Sequence, residues 1–547
     1  MVHHTSGAHG LTYDGLLLSD VLPKRKGWWN YWYLWRLNLA LLSSVVSQAT
    51  GGYDGSLLNG LQSLPLWTDY FGHPAGARLG ALNVGISIGQ SAATLFAGYA
   101  CDKFGRRIPL GIGCIIVVIG SIVGAASTNF GMFLGARILV GFGDGLCQVA
   151  SPTMLAELAH PSQRAQIQTM YAPSYPLGGI IAAWTTYATY TYTTTWSWRL
   201  PLALQGVFAL LQFFALLSCP ESPRWLIATG QREKAIEVLV KFHANGDTES
   251  PLVRFELAEI DAQIESDSMS KAYSWSEFFK TKGTRRRFYM MLFFPLARQF
   301  TGSNLISYFL PLVLNSAGIT NSKTQLLING GVNICAWVFA MSTFLYVDKF
   351  GRRPVLIIPM ALCTVALVIW TILSALIIES NYTKPGLGYG VVVMVFWFQG
   401  WIHIFDAAAE PYIQEMSTFA LRSKIVVMWQ FGQQVVGYIS SFANPVAMVS
   451  LGWKYILLYV CLDVVYIIVM YLFFPETKGL SLEECALLFD GIDKQHEVEV
   501  AFAELGKAHG GHTTEADLIA GARGLELAGG KGSSEHVEFT KGLEANV

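Results

Sequence analysis

The chain has 547 residues, of which 52% are hydrophobic and only 14% charged, and its mean hydropathy is +0.40. An ordinary soluble domain carries about 25% charged residues, so this composition excludes a soluble enzyme, and its apolar content excludes a disordered chain. The formal net charge of −1 gives no electrostatic footprint for nucleic acid. The 8 cysteines are scattered singly without the spacing of a zinc site, so no metal, cofactor or nucleic-acid partner is expected.

Twelve apolar stretches are long enough to cross a lipid bilayer, which takes about 20 residues each. We number them spans 1 to 12 and place them at 37–58, 79–99, 108–127, 130–150, 167–188, 200–219, 288–316, 325–347, 354–378, 388–412, 425–448 and 453–474. The sequence therefore predicts an all-α membrane protein with twelve transmembrane helices and no enzymatic activity. The apolar run of span 1 has no small-residue cleavage site behind it, so we expect a retained helix.

The order of the spans predicts five segments. They are a tail at 1–34, a six-helix half at 35–220, a helical loop at 221–287, a second six-helix half at 288–475, and a largely disordered tail at 476–547. Lys and Arg are concentrated before span 1 and in the loops after even-numbered spans. By the positive-inside rule, both tails and the central loop are cytoplasmic, and the plasma membrane is the expected location. The sequence carries no strong oligomerisation signal.

The two halves are internal repeats. The hexapeptide Asp-Lys-Phe-Gly-Arg-Arg follows span 2 at 102–107 and span 8 at 348–353. Such a duplication of six-helix halves is typical of transporters. We predict that each hexapeptide forms a conformational latch whose Asp pairs with an Arg or caps a helix; the alternative is a basic loop that only sets orientation. The predicted latch residues are Gly98, for close helix approach, Asp102, Arg106 and Arg107, with Asp348, Arg352 and Arg353 in the second copy.

A second symmetry links the inner ends of the halves. Glu157 and Arg164 lie seven residues apart, as do Glu415 and Arg422 at the corresponding place in the second half. We expect these groups to form salt bridges with the latch arginines while the protein is open outward, and to lose them when it opens inward. The alternative is a set of surface pairs that contribute little.

An acid within span 1 requires an explanation. Asp54 lies in the sequence Gly-Gly-Tyr-Asp-Gly-Ser at 51–56, and a carboxylate inside a membrane costs about 3 kcal/mol by insertion scales. Arg137 in span 4 is the natural partner. A carboxylate that alternates between pairing with an arginine and binding a proton can couple protons to a conformational change. The alternative is that Asp54 caps a broken helix at the water interface.

Five motifs in order indicate a family. Besides the two hexapeptides, the chain has Arg137-x-x-x-Gly141-x-Gly143, Pro-Glu-Ser-Pro-Arg-Trp-Leu at 220–226 and Pro-Glu-Thr-Lys-Gly-Leu at 475–480. The chain thus resembles the sugar porter family of the major facilitator superfamily, and within it the fungal disaccharide permeases of the lactose and cellobiose type. The resemblance implies proton-coupled sugar import by alternating access, with Asp54 and Arg137 as the coupling pair and the Glu–Arg pairs as an inner gate.

The same resemblance implies a sugar site at span 7. Residues 298–304 resemble the family's Gln-Gln-x-x-Gly-x-Asn, with Arg298 where the first Gln would be. Gln299 and Asn304 are the leading ligands, because an amide both donates to and accepts from a hydroxyl, and Gly302 permits a helix break. The further candidates are Tyr308, Asn329, Asn333 and Gln433. The alternative is that these polar groups join one helix to another.

Two departures from the family pattern bear on the substrate. Ala172 stands where monosaccharide porters carry a sugar-binding Gln, and Glu410 stands at a tryptophan position. Smaller side chains and extra carboxylates favour a larger ligand, such as a disaccharide or small oligosaccharide. Asp406 and Glu410 either face that ligand or pair with Arg298. Two other functions stay open, a membrane sugar sensor with little transport and a facilitator that does not use protons.

Overall fold

A computed structural model describes residues 12–13, 16–17, 31–272, 275–416 and 421–477, and the statements below concern those residues. It confirms the twelve-span helical fold, with spans 5 and 7 each formed by two helices. The spans are Trp32–Gln62, Ala77–Phe104, Arg107–Ala125, Phe130–Leu158, Arg164–Tyr171 with Ser174–Thr189, Trp196–Leu217, Lys282–Gln299 with Ser303–Ser316, Ser322–Phe350, Arg352–Glu379, Pro385–Glu415, Arg422–Leu451 and Lys454–Phe473.

Short elements connect the spans. A one-turn helix, Pro65–Tyr70, follows span 1, and a two-residue antiparallel pairing joins Thr12–Tyr13 to Leu16–Leu17, with Thr12 opposite Leu17. Between the halves lie Pro223–Ala228, Arg232–Phe242, Pro251–Ala272 and Glu277–Lys280. Span 7 begins at Lys282, six residues before its predicted start, because Thr281 and Thr284 form a reciprocal capping box there.

Eight of the described helices are long and apolar enough to cross a membrane, namely spans 2, 3, 4, 6, 8, 9, 10 and 12. Spans 5 and 7 are interrupted, and spans 1 and 11 carry polar side chains along their length. In span 1 these include Asp54 and Asn59, which are buried against other helices. A low hydropathy therefore identifies helices whose polar groups face protein instead of lipid.

Span 4 lies at the centre of the first half and packs against spans 2 and 3. A Cβ atom on Gly141 would lie 2.1 Å from the carbonyl oxygen of Ile86 in span 2. Only a glycine permits that backbone contact. The close approach holds span 4 in a fixed rotation, with Arg137 one turn away from the contact and buried in the bundle.

The halves contact each other toward one end of the bundle. We call the end that carries Gly105 and Gly351 the latch end, and the other the opposite end. Toward the opposite end, the first half's hydrophobic cluster around Leu61 and Trp67 includes Phe309 and Leu326 of the second half. At the latch end, the first half's cluster consists of its own residues and those of the central loop. The conformation is therefore closed at the opposite end.

Candidate functional site

The structure brings Asp54 and Arg137 together. A terminal guanidinium nitrogen of Arg137 donates to Oδ1 of Asp54 at 2.6 Å, and the residues are only 5% and 2% exposed. Asp54 lies inside the helix Trp32–Gln62, eight residues from its end, and not at a helix terminus. This placement disfavours the capping alternative. A buried ion pair of this kind is stable only while both partners are present, because either charge alone would be costly.

A third group, Gln205 of span 6, completes this cluster and was missed in the sequence. Its Nε2 donates to the same Oδ1 of Asp54 at 2.8 Å, and the residue is buried. An amide in the middle of an apolar helix was the available signal. In contrast, Nε and the other terminal nitrogen of Arg137 are buried without hydrogen-bond partners among the described residues. The arginine thus has donors left over for other groups.

Two tyrosines connect this cluster to span 7. A Cβ on Gly55, next to Asp54, would lie 2.5 Å from Oη of Tyr175 and 3.7 Å from a ring carbon of Tyr308. Tyr175 belongs to span 5 and Tyr308 to the second helix of span 7. The predicted ligand Tyr308 therefore lies where the ion pair meets the second half.

Span 7 breaks where the sequence predicts a break. Gly302 has φ of +87°, a left-handed conformation that side chains rarely adopt. On either side of it, Nδ2 of Asn304 donates to Oε1 of Gln299 at 2.8 Å and to the hydroxyl of Ser440 in span 11 at 2.7 Å. The two predicted ligands, Gln299 and Asn304, are thus partly buried and bonded to each other.

Asn329 and Asn333 of span 8 face span 1. Their Nδ2 atoms lie 3.3 and 3.2 Å from the hydroxyl of Ser56, two residues beyond Asp54. Asn329 is only 3% exposed, which favours its interpretation as a contact between helices. Asn333 is partly exposed. Here too a polar contact joins the halves next to the ion pair.

Arg298 is engaged by its own half. Its Nε donates to Asp406 at 2.9 Å and a terminal nitrogen donates to Gln433 at 2.6 Å. This supports the alternative in which Asp406 pairs with Arg298 and does not face the ligand alone. The side chain of the second predicted acid, Glu410, lies outside the described residues.

The two latches have the same architecture, which depends on two glutamates that the sequence analysis did not single out. Glu221 accepts the backbone N–H groups of Arg106 and Arg107 at 2.9 and 3.2 Å, at the start of span 3. Glu476 accepts those of Arg352 and Arg353 at 2.9 and 3.1 Å, at the start of span 9. A carboxylate at a helix N-terminus satisfies free N–H groups and complements the helix dipole. These are the acids of the Pro-Glu motifs at 220–226 and 475–480.

Each latch also forms a hydrogen bond with the last helix of its half. The guanidinium of Arg107 donates to the carbonyl of Leu217 at the end of span 6 at 2.8 Å. The guanidinium of Arg353 donates equivalently to Tyr471 in span 12. The latches therefore join spans 3 and 6, and spans 9 and 12, within each half.

Glu157 pairs with a latch arginine. Arg106 donates to both of its carboxylate oxygens, at 2.9 and 3.0 Å, and the hydroxyl of Ser222 donates to it at 2.5 Å. Glu157 and Arg106 both belong to the first half, so this bridge joins helices within one half. Its predicted loss when the protein opens inward stays a prediction.

Other predicted gate groups lie elsewhere or outside the described part. Arg164 donates to Glu259 of the central loop at 3.1 Å and not to a latch. The side chains of Asp348, Glu415 and Arg422 lie outside the described residues. In the first latch, the Asp102 carboxylate is exposed and lies 3.9 Å from the guanidinium of Arg106, at the outer limit of an ion pair. The backbone carbonyl of Asp102 accepts from the indole of Trp225 at 2.8 Å.

The close helix approach predicted at Gly98 is wrong. Among the described residues, a Cβ at this position would meet nothing within 4 Å. Gly105, inside the hexapeptide, is the demanding position: its φ and ψ are +86° and −178°, and a Cβ there would lie 2.4 Å from Glu221. That combination of angles is essentially restricted to glycine.

The central loop is fastened to the latch end through two histidines. His243 bonds to Glu256 through Nδ1 at 2.8 Å and contacts the carbonyl of Leu158 at the end of span 4 through Nε2 at 3.1 Å. His160 lies beside it, and burial together with the charge of His243 lowers the pKa of His160 to about 4. His160 is therefore neutral at physiological pH.

Sequence comparisons identify relatives along most of the chain. A sequence model of the family described as "Sugar (and other) transporter" matches residues 39–489. The MFS-type transporter criB of Aspergillus cristatus is 27% identical over 462 residues, which cover 83% of this chain and 94% of the relative. The high-affinity glucose transporter of Kluyveromyces lactis is 24% identical, covering 86% and 88%. The galactose transporter of Saccharomyces cerevisiae is 27% identical, covering 76% and 72%.

Solved structures share the fold. The inward open conformation of the xylose transporter XylE from E. coli superposes with a TM-score of 0.69 at 23% identity, covering 83% of this chain and 100% of that one. A crystal structure of a D-xylose-proton symporter gives 0.63 at 21% identity, covering 81% and 99%.

Proposed function

Since the chain belongs to the sugar transporter family of the major facilitator superfamily, and so transports a sugar and is not an enzyme, we propose that it imports that sugar with a proton by alternating access. The observation that carries the proposal is the buried contact between Asp54 and Arg137 at 2.6 Å. It lies one residue from Gly55, against which Tyr308 of the second half packs. A change in the charge of Asp54 would therefore alter the contacts at the interface between the two halves.

The proton acts through that ion pair. While Asp54 is ionised, Arg137 and Gln205 hold it and fix span 1 against spans 4 and 6. Protonation removes the charge, releases Arg137, and frees span 1 to move relative to span 4. An inward proton gradient then biases the loaded transporter toward the inward-facing state, because the two states differ in proton affinity.

The sugar acts on the other side of the same interface. Gln299 and Asn304 flank the break in span 7, and Asn333 contacts Ser56 of span 1. Sugar hydroxyls that replace these bonds change how firmly the halves hold each other. The latches keep each half rigid during the exchange, so that the halves rock as bodies.

We propose a disaccharide as the substrate. Ala172 is exposed at the junction between the two helices of span 5, at the position where the resemblance to monosaccharide porters would place a larger polar side chain. The named relatives transport glucose, galactose and xylose, so monosaccharides are the competing class. The latch end is the cytoplasmic end by the positive-inside rule, which places both termini in the cytoplasm and the sugar entrance at the cell surface.

Uptake into vesicles that contain the purified protein tests this proposal. We expect labelled lactose or cellobiose to accumulate above its outside concentration when the outside is acidified, and collapse of the gradient to abolish accumulation. Unlabelled disaccharides should compete better than glucose, galactose or xylose. Equilibration without accumulation would identify a facilitator, and binding without flux would identify a sensor; both would contradict the proposal. Better competition by monosaccharides would contradict the substrate class alone.

A further inference from the structure

A second buried acid, Asp144, lies close to the ion pair. It is in span 4, seven residues and thus two helical turns from Arg137 toward the latch end. The residue is only 5% exposed. Its Oδ2 accepts from Nε2 of Gln90 in span 2 at 2.8 Å, while its Oδ1 is buried and has no hydrogen-bond partner among the described residues.

Asp144 faces the same side of span 1 as Asp54. A Cβ on Gly51 would lie 3.4 and 3.5 Å from the two carboxylate oxygens of Asp144. Gly51 and Asp54 are three residues apart in one helix and therefore share a face. Because Gly51 has no side chain, the Asp144 carboxylate packs directly against the backbone of span 1, one turn from Asp54.

The surroundings of the two acids differ in charge. Asp54 has the cation Arg137, whereas Asp144 has only the neutral amide of Gln90 and that of Gln148, one turn further along span 4. The other titratable groups that face Asp144 supply no positive charge. They are Asp54 on span 1, Cys147 on span 4 and Tyr175 on span 5.

A buried carboxylate without a cation, near a second carboxylate, is far more costly than its protonated form. Two carboxyl groups in such different settings divide the available protons unequally, and this is the pattern that separates a proton donor from an acceptor. Asp54, which has a cation beside it, is therefore the better placed of the two to carry a charge, and Asp144 is the better placed to hold a proton.

We propose that Asp144 is a second proton-binding site, which takes the proton that Asp54 releases when Arg137 re-forms the ion pair, and passes it to the latch end. The balance is simple: the Asp54 carboxyl loses a proton and becomes the partner of Arg137, the Asp144 carboxylate gains it, and Asp144 then returns it to water. Toward the latch end the path continues with Gln148, whose Oε1 accepts from the hydroxyl of Tyr171 at 3.0 Å, and both residues are partly exposed. This inference rests on the proposed proton symport.

Asp144→Asn tests the site, with Asp463→Asn as a matched control. Asp463 of span 12 is also a buried acid, and neither of its oxygens has a partner among the described residues, but it belongs to the second half. In vesicles, Asp144→Asn should lower the rate of uphill sugar accumulation at least about tenfold and leave sugar exchange at equilibrium within about twofold of the wild type. Asp463→Asn should change neither rate. Wild-type accumulation by Asp144→Asn overturns the proposal.

An infrared measurement separates this inference from the symport proposal. The purified wild type at neutral pH should show the C=O band of protonated carboxyl groups, and Asp144→Asn should lose part of that band. If the wild type does not accumulate sugar, symport fails but this measurement still decides whether Asp144 holds a proton. If Asp144→Asn does not fold, the infrared spectrum of Asp463→Asn decides alone. That variant must retain a protonated-carboxyl band, and loss of the whole band overturns the proposal.

Discussion

We expect the Gly105→Ala substitution to lower the stability of the first half far more than a methyl group added at any other position of this loop. The backbone angles of Gly105 suit only glycine, at a strain of about 1 to 3 kcal/mol for alanine. The new Cβ would also lie 2.4 Å from Glu221. Glu221 accepts three backbone N–H bonds, and a hydrogen bond to a charged group contributes about 1.5 to 3 kcal/mol. Strain and one lost bond together give about 2.5 to 6 kcal/mol.

The matched control is Gly98→Ala, in the helix just before the loop. Its Cβ meets nothing within 4 Å in the part of the chain that the structure describes, and alanine in a helix is about 1 kcal/mol more favourable than glycine. At about 2 to 4 °C per kcal/mol for a half of this size, we expect Gly105→Ala to melt roughly 5 to 24 °C below the wild type in detergent. Gly98→Ala should melt at or slightly above the wild type. Equal melting temperatures at one scan rate would refute this account of the latch.

Three further predictions concern other parts of the chain. Gln299→Ala or Asn304→Ala should weaken sugar binding by about 1 to 3 kcal/mol, measured as equilibrium affinity; unchanged affinity in both would place the site elsewhere. The pKa of His160 is lowered to about 4 from 6.5, so the unfolded chain binds more protons between these values and stability falls as the pH falls through that window, by about 2 kcal/mol at pH 5. His160→Asn should reduce the loss of melting temperature between pH 7 and pH 5, and an unchanged loss would contradict this. Truncation after Glu484 should leave uptake intact at normal surface expression, because the Gly-rich acidic tail contributes no spanning residue; loss of uptake would assign the tail a role in transport.

The fold was predictable because apolar runs and repeated motifs report the number and order of helices directly. The pairing of Asp54 with Arg137 was predictable for a related reason, since a buried charge requires an opposite charge and the spans offer few. Gln205 and Asp144 were not predicted as site residues. A single polar residue in an apolar helix does not indicate which neighbouring helix it faces, and only the packing shows this.

The latches show where sequence reasoning stops. The hexapeptides were recognisable as a repeat, but their chemistry depends on Glu221 and Glu476, which come more than a hundred residues later in the chain. Periodicity and spacing report on neighbouring residues in the chain. The contact of each glutamate with its hexapeptide instead depends on the tertiary packing of span 6 against span 3 and of span 12 against span 9. The demanding glycine was likewise assigned to Gly98 instead of Gly105, because sequence does not reveal backbone angles.

The central claim is that Asp54 couples the proton to the sugar, and Asp54→Asn tests it most directly. The amide keeps the shape of the side chain and can bond to Arg137 and Gln205, but it cannot titrate. Uphill accumulation under an acid-outside gradient and sugar exchange without a gradient should be measured in the same vesicles. The account predicts that accumulation is lost while exchange persists, because the amides at span 7 are unchanged. Accumulation by Asp54→Asn at the wild-type level would contradict it.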